Sequence, residues 1–94
     1  MRKATMINVD VIQKWANDLN GWEIVSAVKD RSHPDEELFY VVAKGGSAFA
    51  DQGYPYSTHL FSYCDKEQRG AFFHGHYDMT MESAHRDLFD RLHY

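Results

Sequence analysis

Ninety-four residues are enough for one domain, and an apolar fraction of 44% with 15% aromatic residues excludes the composition of a disordered chain. Fourteen acidic against ten basic side chains leave a formal charge of −4, which excludes the basic stripe of a phosphate-backbone binder and points towards a basic partner surface. Cys64 alone cannot close an internal disulfide, no run reaches the roughly 20 apolar residues of a membrane span, and no apolar stretch follows Arg2 and Lys3, so the expected location is the cytoplasm without membrane contact.

Val9 to Leu19 predicts the first helix. Asn8 can cap it, Asp10 lies in its positive first turn, and Val11, Ile12, Trp15 and Leu19 recur at helical spacing. Asn20-Gly21 ends it, because glycine tolerates the left-handed conformation that closes a helix. Trp22 to Lys29 reads as a strand, with Trp22, Ile24, Ser26 and Val28 on one side and Val25 and Ala27 on the other. Ser32-His33-Pro34-Asp35 is turn chemistry. It leads to a second strand, Leu38 to Ala43, which is apolar on both faces and therefore central.

Lys44 to Ser57 interleaves Gly45, Gly46, Gly53 and Pro55 with Phe49, Tyr54 and Tyr56, and predicts a long loop of the kind that carries function. Thr58 to Cys64 is the third strand. Asp65 to Asp78 supports two readings. As a strand, Ala71 to Tyr77 would pair with the third strand. As a helix, Asp65 caps it, Gln68 completes a variant capping box, and Phe72/His76 and Phe73/Tyr77 become i,i+4 pairs. The helix is the preferred reading. Thr80 caps the last helix, which runs to about Leu92. Met81, Ala84, Leu88 and Leu92 form its apolar stripe, widened by Phe89, and Glu82–Arg86 and Asp87–Arg91 are i,i+4 ion pairs. The expected fold is α+β: an N-terminal helix, a three-stranded antiparallel sheet with a fourth strand as the alternative, and one or two C-terminal helices packed on one face. The other face is expected to be partly open.

The string His74-Gly75-His76-Tyr77-Asp78 has the side chains of a metal site. On a strand His74, His76 and Asp78 would share a face, whereas on a helix the two imidazoles lie about 200° apart. His59, Cys64 and His85 stand at no fixed ligand spacing to it, so the expectation is no metal and no cofactor, with His74, His76 and Asp78 as the alternative metal set. Cys64 lacks the flanking signature of a thiol nucleophile and reads as a small apolar strand residue. Lys44-Gly45-Gly46-Ser47 lacks the spacing of a phosphate loop and reads as a turn. No catalytic constellation emerges. The candidate partner-binding residues are Phe49, Tyr54 and Tyr56 as aromatic anchors, with Asp35, Glu36 and Glu37 as steering charges.

The tail Tyr77-Asp78-Met79-Thr80-Met81-Glu82-Ser83-Ala84, followed by Asp87 and Arg91, resembles the ends of many small phage and prophage proteins. In its size, acidity and single-domain build the chain resembles anti-CRISPR proteins. That resemblance implies a non-enzymatic inhibitor in the cytoplasm of a bacterial host, which blocks a defence complex by stoichiometric binding. Its partner would be a protein or ribonucleoprotein complex, without direct nucleic-acid contact. The element order also looks like a double-stranded RNA-binding domain, but that family opens its last helix with a basic cluster where this chain has Thr80-Met81-Glu82. Two alternatives stand beside the inhibitor reading: a small metal-binding protein or enzyme, and a self-associating subunit in the form of a homodimer.

Overall fold

The structure is a computed structural model that describes residues 7–33, 35–46 and 50–93. Helix α1 spans Val9–Leu19 and opens on Asn8, whose side-chain oxygen accepts the backbone N–H groups of Asp10 and Val11 at 3.0 and 3.1 Å. Strands β1 (Glu23–Lys29), β2 (Glu37–Lys44), β3 (Tyr56–Cys64) and β4 (Arg69–Met79) follow, and α2 (Met81–Leu92) ends the fold. The strands pair in chain order, each antiparallel to the next. A short 3-10 turn at Ala50–Gln52 interrupts the β2–β3 connection.

The two helices cover opposite faces of the sheet. Ile12 and Ala16 of α1 pack with Ile24, Phe39, Val41, Ala43 and Phe61 on one face. Ala84 and Leu88 of α2 pack with Val42 on the other, flanked by Val25, Tyr40, Tyr56, Met79 and Leu92. This corrects the expectation of helices on one face only. The cause is in β2, which is apolar on both sides, so each side needs a layer over it. Gln13 fixes α1 to the sheet: its amide donates to the Trp22 carbonyl and accepts the Ile24 N–H, both at 2.7 Å.

The stretch read preferentially as a helix from Asp65 is a turn at 65–68 followed by β4. Gly70 and Gly75 weaken a helix there, and pairing with β3 sets Phe72 against Phe61 and the core beneath α1. Gly70 also needs to be glycine, because a Cβ would come within 2.6 Å of the Phe61 ring. In α2 the buried residues are Ala84 and Leu88, whereas Met81 and Phe89 are 47% and 61% exposed and fall outside the stripe assigned to them. The strict alternation expected of β1 fails at a bulge between Ile24 and Ser26.

Candidate functional site

Antiparallel register places side chains in rows across the sheet, and rows decide what α2 covers. Ser26, Val42, Thr58 and His76 form one row beneath α2. His85 of α2 reaches Ser26 at 2.8 Å at one end of that row, and Asp87 reaches Thr58 and His76 at the other. The next row is Val28, Tyr40, Leu60 and Phe73, apolar on all four strands. Beyond it come Leu38, Ser62 and Ala71. Twelve helical residues extend about 18 Å, whereas the nine residues of β3 extend about 30 Å. Helix α2 therefore ends over Tyr40, the last row represented in its core cluster, and leaves the half of this face beyond it, with Leu38, Ser62 and Ala71, only partly buried. At the row's ends Val28 and Phe73 are 40% and 49% exposed.

A cavity of about 400 Å³ lies where α2 ends, lined by Tyr40 and Leu60 from the sheet, His74 and His76 from β4, and Asp87, Asp90 and Arg91 from α2. Its wall is an ordered polar cluster. Asp87 Oδ2 accepts from the Thr58 hydroxyl, from His76 Nδ1 at 2.9 Å and from Arg91 Nε at 3.2 Å. Arg91 also donates to the carbonyl of His74 at 2.6 Å. Burial pushes the Asp87 carboxyl up, but the hydrogen bonds from Thr58 and His76, with the charges of His76 and Arg91, outweigh it and hold the group below the ordinary carboxylate value. An ionised carboxylate only accepts, so in this contact His76 Nδ1 is the donor.

The backbone of β4 is what brings His76 to this wall. His74 and Asp78 have positive φ angles of 52° and 62°, and the β3–β4 register slips near each. Phe73, His76 and Met79 consequently face α2 although they are three residues apart. The even alternation on which the shared face of His74, His76 and Asp78 depended is thereby broken. His74 and His76 line the cavity and Asp78 does not. Among the described residues no three His, Cys, Asp or Glu side chains gather to hold a metal ion. The lining contains no Ser, Thr or Cys, and Cys64 is exposed at the far end of β3 rather than buried in it.

A second cavity, of about 410 Å³, follows the β4 edge and includes Trp22, His59, Phe72 and Tyr77. His59 is 1% exposed, stacked on Trp22 with ring centroids 4.2 Å apart, and bonded through Nε2 to Ser57 Oγ at 2.8 Å. Burial, with the charges of Arg91 and His76, lowers it to about 4. It is a neutral core group at physiological pH.

The residues singled out as partner contacts are not brought together. Tyr54 is exposed in the β2–β3 connection, and Phe49 lies outside the described residues. Tyr56 is in β3, half-buried against the cluster under α2 with Lys44 Nζ 6.0 Å from its ring, so the loop position expected for it is corrected. Asp35, Glu36 and Glu37 sit at the other end of β2, whose eight residues extend about 26 Å. Glu37 is engaged with Lys29 at 3.3 Å, and Asp35 and Glu36 are exposed beside the open half of the sheet face. Sequence reasoning missed Thr58, Tyr40, Leu60 and Phe73, and read Asp87–Arg91 only as an ion pair along the helix. One signal was present: positions 84, 87, 88 and 91 share a helical face, so an acid–base pair fell on the flank of the apolar stripe.

No helix among the described residues is long and apolar enough to cross a membrane. Compared with known proteins, the chain matches no family model, no curated protein and no solved structure.

Proposed function

We propose that this protein is a non-enzymatic binding module that docks a protein partner on the open half of the sheet face beside α2. The observation that carries the reading is the cross-strand row Val28–Tyr40–Leu60–Phe73, apolar on every strand and exposed at both ends, with a polar-walled cavity next to it. Contiguous apolar surface rimmed by polar groups is the usual mark of a protein interface. The ordered sheet holds these side chains in place before binding, so little conformational entropy is lost on docking. The finer form of the proposal is a stoichiometric inhibitor of a bacterial defence complex. The supports for that form are the small acidic chain and the resemblance of its tail to phage proteins.

The test is capture of partners from a bacterial lysate with tagged wild-type protein, the variant Phe73→Asp and the variant Tyr54→Ala, read by mass spectrometry. Phe73 is half exposed, so a charge there leaves the core intact while spoiling the apolar row. A partner lost with Phe73→Asp and kept with Tyr54→Ala supports the sheet face. The reverse pattern assigns binding to the β2–β3 connection. A wild-type dimer that Phe73→Asp converts to a monomer identifies the partner as a second copy.

A further inference from the structure

We propose that the cavity between α2 and β4 receives a basic side chain, lysine or arginine, from the protein that docks on the open half-face. The inference rests on the docking reading above and specifies the partner's chemistry. Among the Asp, Glu, Lys and Arg side chains of the lining, two carboxylates, Asp87 and Asp90, stand against the single guanidinium of Arg91. Arg91 is already committed, through Nε to Asp87 and through a terminal nitrogen to the His74 carbonyl, and its side chain is only 11% exposed. An incoming acid would find that guanidinium occupied and two carboxylates opposing it.

Other features of the wall also favour a cation. The cavity lies against the last two turns of α2, where the aligned peptide dipoles place the negative end of the helix. Tyr40 and Leu60 supply an apolar floor for the methylene stem of a long basic side chain. Asp35 and Glu36 stand exposed beside the same half-face, and the chain as a whole carries −4, so the approach is also steered towards a basic surface.

The experiment uses the full-length, nitrogen-15-labelled protein and three small probes in amide-shift titrations: N-acetylarginine methylamide, its neutral citrulline isostere and the glutamate counterpart. The arginine probe is expected to shift the amides of His74, His76, Asp90 and Arg91 saturably at millimolar concentration. Citrulline, which keeps the shape and loses the charge, should bind roughly three- to fivefold more weakly, as expected for a charge interaction at the edge of solvent. Asp90→Asn should weaken the arginine probe by a similar factor and leave the rest of the spectrum in place, because Asp90 is exposed. Equal binding of citrulline and arginine, preference for glutamate, or shifts that map away from the cavity would each overturn the proposal. Failure of the docking reading shows instead in the Phe73→Asp capture, which uses no cationic probe.

Discussion

Acid should unfold this protein through His59 before it acts through the carboxylates. The imidazole is 1% exposed, sits against Trp22 and lies edge-on to Tyr77 at 5.2 Å. Burial is the main reason it titrates at about 4 in the fold against 6.5 when free. The folded protein resists protonation while the unfolded chain accepts it, so stability is complete above about pH 6.5 and is lost as the pH falls towards about 4. The full interval corresponds to about 3 kcal/mol, of which about 2 kcal/mol is lost between about pH 7.5 and about pH 5. Urea denaturation of the wild type and of His59→Gln across this range measures it. The glutamine amide cannot titrate but can still bond Ser57 Oγ, so the variant loses stacking on Trp22, about 0.5–1.5 kcal/mol, equally at every pH. Its stability should therefore be flat where the wild type falls. Asp30 and Asp87, both held below the ordinary carboxylate value, contribute stability that is lost only at lower pH, and both proteins share it. Parallel curves for the two proteins would refute the assignment of His59 as a buried neutral group.

Gly70→Ala places a methyl group against the Phe61 ring and the Trp15 side chain, and should destabilise the fold by about 1–3 kcal/mol in thermal or urea denaturation; an unchanged midpoint would mean that β4 does not lie as close to α1 as described. Gln13→Ala strands the Ile24 N–H and the Trp22 carbonyl, and should cost about 1–3 kcal/mol by the same measurement. His74 occupies the left-handed region at φ 52°. His74→Gly should therefore be more stable than His74→Ala by about 1 kcal/mol, the reverse of the usual order in a strand; equal or greater stability of the alanine variant would contradict the bulge.

The elements with strong local signals were legible. Asn8 and Thr80 cap the helices assigned to them, Gly21 has a positive φ just beyond α1, and β2 is central and apolar on both faces. What failed needed non-local information. Phe72 and Phe73 can satisfy a helix through i,i+4 pairs or a strand through β3, and only the partner strand decides. A bulge moves every later side chain on its strand, so the faces of β1 and β4 could not be read from alternation alone. Thr58 and His76 are adjacent only through pairing, and Asp87 joins them only because α2 folds back over their row. A site assembled from three elements in this way has no linear motif.

The bulges in β4 bear directly on how the site arose. A regular strand that presented Phe73 to α2 would also present Gly75, Tyr77 and Met79, and would turn His76 to the α1 side. Asp87 would then lose its imidazole partner. Two residues held in the left-handed region are disfavoured by about 1–3 kcal/mol each, which a small domain retains only where the surrounding structure enforces it. Here the enforcing contact is visible: Arg91 holds the His74 carbonyl at 2.6 Å while its Nε binds Asp87 at 3.2 Å. The same guanidinium therefore stabilises the distorted backbone and completes the wall that the distortion creates. Since Ala84 and Leu88 already anchor α2, the core itself does not call for this polar arrangement. Its effect is to hold two carboxylates, an imidazole and a guanidinium around a cavity at the margin of an apolar face, the arrangement on which the proposed docking rests.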